Sequence, residues 1–485
     1  MELLNETNLP SDEDYVCFPH DSPKLPGPAL RLSWPHAGDR KRAIVGKSMG
    51  PGVIHVSQQD MEMHYDLLAR SAASNNGAKR DSEEDLESSR PVLQIPLAWC
   101  SANIRAGQQD LLQHFREAAS RSLAVFGRDP AELGDVLLRT ALAKNTAAAR
   151  ALFSSILALS SLHRHDIHSQ AVEHKIAAIE ALAAASGSPA IDTAEAMQHV
   201  AAGMLLCSFE IHQAACTSGD WTRYLRGVKH VIHVAGLNDV EHDADLAALL
   251  DWVYYHDVLA RFSARHWHRD PKGRPCAAAD VEAVTGSLRA RPSKSAPPAL
   301  HLIELLSSVC DVLSDGPPKS GQREDDAQAK SFLKILEWRI RTAPAGGGSG
   351  GGDEEAALVA EAYRLAMLVY LHRATAAEGP GGQGWAQTRQ QWVERGYEIL
   401  GRLRACDRQF PVFVLGCEAR SDEQRAVVLD LIGRAETAVS SRSFNYAREL
   451  IKAVWVQDDL AAREVAYWDK MSYVVSCCRN LPTFV

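Results

Sequence analysis

Four places in this 485-residue chain gather side chains that could act chemically, and three of them fail on context. The run GGSGG at 347–351 has the G-x-S-x-G spacing of a nucleophilic serine. That motif works only where a strand precedes the serine and a helix follows it, so that a strained turn holds the hydroxyl exposed. Both flanks of Ser349 read as loop, and the absence of a following Lys-Ser/Thr pair also removes a phosphate-cradling role. HRHDIH at 163–168 places three imidazoles and a carboxylate within six residues. Ligands this close converge on one ion only where the backbone is extended or looped, so a solvated helix end is the better reading. Cys477 and Cys478 have mostly apolar flanks and lack the charged surroundings that lower a thiol pKa, so they read as packing residues.

The fourth place is acidic: Asp458 and Asp459, with Glu464 further on. Carboxylates on a helix hold magnesium against a diphosphate in the all-helical terpene synthases, because magnesium needs several converging oxygens. Here no acid stands at the third position after the pair, and no Asn/Asp, Ser/Thr, Glu run lies on a later helix. A metal-dependent helical enzyme of that kind stays as an alternative reading, beside a helical scaffold without catalytic work. Arg223, Arg226, Lys229 and His230 read as one outer, solvated helix face.

The elements around these residues are helical throughout. Leu111, Leu112, Phe115, Ala119 and Leu123 recur at the three-to-four spacing of an amphipathic helix. The segment 201–211, AAGMLLCSFEI, is apolar nearly all round, as a central helix must be. Tyr224, Leu225, Val228, Val231, Ile232 and Ala235 form a stripe that ends at Gly236, a C-terminal cap. Leu246, Leu249, Leu250, Val253 and Ala260 form another, and His256 and Asp257 fall on it. Buried polar groups without partners are costly, so both residues are expected to bond to a neighbouring helix or backbone group. A last stripe runs through Ala447, Leu450, Ile451, Val454, Trp455, Ala462, Val465 and Trp468, with Asp458 inside it. Residues 1–95 are rich in Pro, Ser, Asp and Glu with few periodic apolar positions, and read as a disordered arm. Residues 96–485 read as one helical domain with loop insertions near 270–298, 315–326 and 344–355.

Composition adds exclusions. The formal net charge of -9 is not the cationic footprint of a phosphate-binding surface. The acidic start MELLNETNLPSDEDYV lacks the basic head and apolar run of a secretory signal, and no window approaches a membrane-spanning length. The ten cysteines are scattered with no C-x2-C pair, and read as reduced thiols in apolar helices.

The series LLQHFREAASRSL, ALFSSILALSSLH, AVEHKIAAIEAL, GDWTRYLRGVKHVIHVAG, LLDWVYYHDVLARFS, YRLAMLVYLHRA, FPVFVLGCEA and WVQDDLAAREVAYWDKM resembles, in order, the fungal-specific transcription factor domain. Its landmarks here are Trp221, Gly227, His256, Asp257, Trp455, Asp458 and Trp468. The resemblance implies an all-α regulatory region of a nuclear transcription factor, with no catalytic or cofactor-binding residues. It makes the three tryptophans large buried anchors, and Asp257 and Asp458 buried polar contacts. The segment 31–44, RLSWPHAGDRKRAI, is similar to the stretch that follows the binuclear zinc cluster in such factors. That cluster uses six cysteines to hold two zinc ions and aim a short helix at the major groove. Only Cys17 precedes Arg31, so DNA contact and zinc are expected only if a cysteine cluster lies upstream. The implied partners are transcription machinery or co-regulator proteins, with a homodimer admitted and no membrane. Arg40, Lys41 and Arg42 are a short basic triplet suited to nuclear import.

Overall fold

Fifteen helices carry the described part of the chain, and among the described residues there is no strand. The computed structural model describes residues 106–165, 169–185, 192–213, 220–241, 243–267, 288–313, 323–343, 354–375, 382–406, 408–439, 444–460, 467–478 and 481–485. In chain order the helices are α1 Ala106–Glu117, α2 Pro130–Leu142, α3 Ala147–His165, α4 Ser169–Ala185 and α5 Thr193–His212. Next come α6 Asp220–Val234, α7 Ala244–His266, α8 His301–Val312, α9 Arg323–Thr342 and α10 Glu354–Thr375. The last are α11 Gly382–Arg402, α12 Gln409–Gly416, α13 Asp422–Val439, α14 Phe444–Leu460 and α15 Tyr467–Ser476. The expected arm, 1–95, and the triplet Arg40, Lys41 and Arg42 lie outside the described residues.

Local chemistry sets the starts of the central helices. The Asp129 carboxylate accepts from the Ala131 N–H, and Pro130, which has no N–H to satisfy, takes the first position of α2. Asp192 caps α5 through the Glu195 N–H, and Asp243 caps α7 through the Leu246 N–H. Each such cap contributes about 1 kcal/mol. At the other end of α6, Gly236 sits at φ 62°, and the Leu237 N–H turns back to the Ile232 carbonyl. That left-handed turn is why the stripe stops where it does.

Packing is organised around two nearly encircled helices. In α5 the residues from Val200 to Ile211 are all buried, and α3 and α6 lie against it. Gly203 lets α6 come close, since a Cβ there would stand 2.5 Å from Val228 Cγ2. In α7 every residue from Leu246 to His266 is buried, although the sequence suggests one apolar stripe. The helix touches α2, α5, α6, α8 and α15. A cluster of rings closes the second half: Phe262 of α7 meets Tyr370, Phe410 and Phe484 at centroid distances of 5.1, 5.0 and 5.4 Å.

Three boundaries differ from expectation. Helix α9 begins at Arg323 and α10 at Glu354, inside windows that read as loop. Residues 288–297 form no helix, yet they are pinned to α7 by hydrogen bonds described below. The last stripe is carried by two helices, α14 ending at Leu460 and α15 starting at Tyr467, so Ala462 and Val465 fall outside the described residues.

Candidate functional site

The polar side chains of α7 converge with neighbouring elements into a buried ionic network. Asp257, fully buried, accepts from Lys229 Nζ of α6 at 2.8 Å and from the Ala290 N–H at 3.3 Å. Arg261, one turn further, stands 3.5 Å from Asp257 Oδ2 and donates to Asp311 at 3.1 Å and to Ser307 at 3.0 Å on α8. Six residues before Asp257, Asp251 accepts from Arg128 Nη2 at 2.8 Å and from the Ser293 N–H at 2.7 Å. Four segments distant in sequence are thus fixed to one helix by charge-assisted bonds.

His256 is handled differently. Its Nε2 lies 3.1 Å from the Trp252 indole N–H and 3.2 Å from the Ala124 carbonyl. A single ring nitrogen accepts from the first or donates to the second, according to tautomer. Burial, helped by the nearby charges of His212 and Arg408, pulls His256 down to about 3, so the ring is neutral in the fold. The unfolded chain takes up that proton below about 6.5. Stability from this group is therefore complete above pH 6.5 and is lost as pH falls toward 3, at roughly 1.4 kcal/mol per unit. In His256→Gln the urea midpoint is expected to fall less steeply between pH 6.5 and 4.5 than in the wild type. Parallel profiles would contradict the assignment.

The remaining landmarks are placed as follows. Trp221 is buried and its indole N–H donates to the Leu481 carbonyl at 3.1 Å. Trp455 is buried and donates to the Gly416 carbonyl at 2.8 Å. Trp468 is half-buried, its ring 4.7 Å from His266, which makes it a cover for the core and not a fully enclosed anchor. Gly227 lies on the exposed face of α6 with open space where a Cβ would point, so nothing there requires glycine.

Asp458 is mostly buried and held by Lys470 at 2.6 Å and by Arg420. Asp459 takes a two-pronged contact from Arg425 at 2.6 and 2.9 Å. Glu464 lies outside the described residues, and among the described residues no three His, Cys, Asp or Glu side chains gather as metal ligands. His163 of the histidine run meets His114 at 3.1 Å.

The structure corrects one surface residue. Lys229 is not on the solvated face with Arg223, Arg226 and His230: it is 5% exposed and bound to Asp257. The signal was in the spacing, since Lys229 stands four residues after Leu225 and three before Ile232, on the apolar stripe itself. Asp251 and the buried Arg373–Glu418 pair, at 2.6 Å, were likewise not singled out. Their partners lie far away in sequence, where spacing rules do not reach.

The described body is all-helical, and Asp251, Asp257, Arg261 and Glu418 in its interior are paired with charges from distant segments. The chain belongs to the fungal-specific transcription factor domain family, a family of transcriptional regulators, whose profile matches residues 110–481. It is 42% identical over 396 residues to a protein named Transcription factor iacI from Pestalotiopsis fici, an alignment covering 81% of this chain and 100% of that relative. No solved structure matches it. Among the described residues no helix is long and apolar enough to cross a membrane.

Proposed function

We propose that this chain regulates transcription through contacts made by its helical body, in the nucleus, by engaging co-regulators or transcription machinery. The observation that carries this is the family match over 110–481, which spans the whole described ionic network. The reading assigns no catalytic step, because Asp458 and Asp459, the carboxylates suited to magnesium, are each matched by arginine or lysine. Nor do the residues present fit the family's zinc cluster. No two cysteines have C-x2-C spacing, and Cys207, Cys310, Cys406 and Cys417 are buried core thiols. DNA contact is thus left to a partner or to residues upstream. The triplet Arg40, Lys41 and Arg42 would serve import.

The test is to fuse the chain to an unrelated DNA-binding domain in a yeast reporter strain. A several-fold change in reporter output, up or down, is expected relative to the DNA-binding domain alone. Reporter output equal to that control, with the protein present in the nucleus, would remove the reading.

A further inference from the structure

Helix α9 is apolar over more of its circumference than its neighbours cover. Leu336 and Ile340, one turn apart, are buried where α8 and α10 pack against the helix. Phe332, Ile335 and Trp338 lie on the remaining surface and stay 47%, 54% and 64% exposed. Residues three apart are neighbours on a helix surface, so these side chains form one continuous patch about 9 Å long. A single exposed apolar residue carries no information, but a tryptophan joined to an isoleucine and a phenylalanine in one exposed patch marks a contact surface.

The rim of the patch narrows the class of partner. Lys334 stands one turn before Trp338 and Arg339 one turn after Ile335; both are exposed, and neither meets a carboxylate among the described residues. Arg341 differs, since Glu337 holds it at 2.7 Å and it lies over the Trp392 ring. An apolar centre edged by two available cations is complementary to a segment that presents an apolar face edged by carboxylates. A second copy of this chain fits less well. The patch exposes on the order of 300 Å2 against roughly 800 Å2 per partner in a stable dimer, and pairing two such patches would set their cations against each other. We propose that the Phe332, Ile335 and Trp338 face of α9 docks an acidic amphipathic helix of a partner protein, with its carboxylates on Lys334 and Arg339. This rests on the regulatory reading and names the surface and the partner chemistry it would use.

The probe is a fluorescein-labelled synthetic peptide of about 15 residues, with Leu and Phe at i, i+3, i+4 and i+7 and Asp or Glu elsewhere, titrated with the full chain by fluorescence anisotropy. The chain carries a formal net charge of -9, so attraction of an acidic peptide has to be local. A second exposed stripe, Val172, Ile176 and Ile179 on α4, supplies the control: its rim carries the exposed Glu173 and Glu180, and Lys175 is taken by Glu210 at 2.6 Å. Binding is expected, weakened at least about tenfold by Trp338→Ser and by Lys334→Glu/Arg339→Glu, and unchanged by Ile176→Ser. All four positions are exposed, and thermal melting checks that the variants fold. Should Trp338→Ser not fold, a peptide of the same composition with its apolar residues dispersed decides on the wild type, which should bind it at least about tenfold more weakly. No binding by the wild type, unchanged binding in either α9 variant, an equal loss in Ile176→Ser, or equal binding of the dispersed peptide would each overturn the proposal. Dimerisation that Trp338→Ser abolishes, or tighter binding of a peptide of residues 1–18 of this chain, would give the face to another occupant and overturn it as well. Binding is read on the isolated protein: its absence beside an intact reporter response counts against this surface alone, and intact binding with a silent reporter counts against the regulatory reading alone.

Discussion

Asp257→Ala is expected to lower the unfolding free energy by about 3–5 kcal/mol, because it removes the carboxylate that the buried cations Lys229 and Arg261 both face. Lys229 is 5% exposed and donates to Asp257 at 2.8 Å, and the Ala290 N–H loses its acceptor in the same change. The double variant Lys229→Met/Asp257→Leu should recover most of that loss, since two apolar side chains need no counter-charge. Equilibrium urea unfolding of the wild type, both single variants and the double gives the coupling directly. If the double variant is as unstable as the sum of the singles, the pair is not the reason these residues are needed. The single loss is large against the 5–15 kcal/mol typical of folded domains, so Asp257→Ala should also lower cellular abundance.

Phe484→Ala is expected to cost a similar 3–5 kcal/mol, by opening a cavity in the ring cluster. Phe484 is 1% exposed, with Phe413 at 4.3 Å and Phe262 at 5.4 Å. Leu481 and Val485 on either side are also buried, and the Trp221 indole holds the Leu481 carbonyl. These last five described residues carry no helix, yet they belong to the core. A sharp contrast should come from Trp468→Ala, where the half-buried ring gives up less enclosed area and the thermal midpoint should fall by a smaller margin. Equal losses at the two positions would mean that the ring cluster contributes no more than surface cover.

Much of the architecture was legible because it is periodic. The stripe on α6, its stop at Gly236 and the nearly uniform apolar run of α5 all follow from local spacing. The pairing inside α7 was only half legible. That His256 and Asp257 must find partners follows from their position on a buried stripe, but which partners they find depends on Ala124, Lys229 and Ala290 arriving from elsewhere. Lys229 was misplaced because its neighbours Arg226 and His230 are exposed, and a basic run reads as solvated unless the i, i+4 register is given more weight than composition. Arg265, whose buried Nε and Nη1 meet no acceptor among the described residues, has no sequence signature, since nothing in ARH distinguishes it from Arg261 one turn before.

The burial of α7 has a consequence for how the chain acquires its shape. Asp251 is completed by Arg128, 123 residues before it, and by Ser293, 42 residues after it. Trp221 waits for a carbonyl 260 residues downstream. The cations of Asp257 and Asp251, Lys229 and Arg128, precede α7, but Asp311, which pairs with Arg261, follows 50 residues later, so the charge network of α7 is completed only after α8 has left the ribosome. Its assembly is then a late event dominated by contacts remote in sequence, with apolar helices exposed meanwhile, the condition under which large proteins depend on chaperones during synthesis.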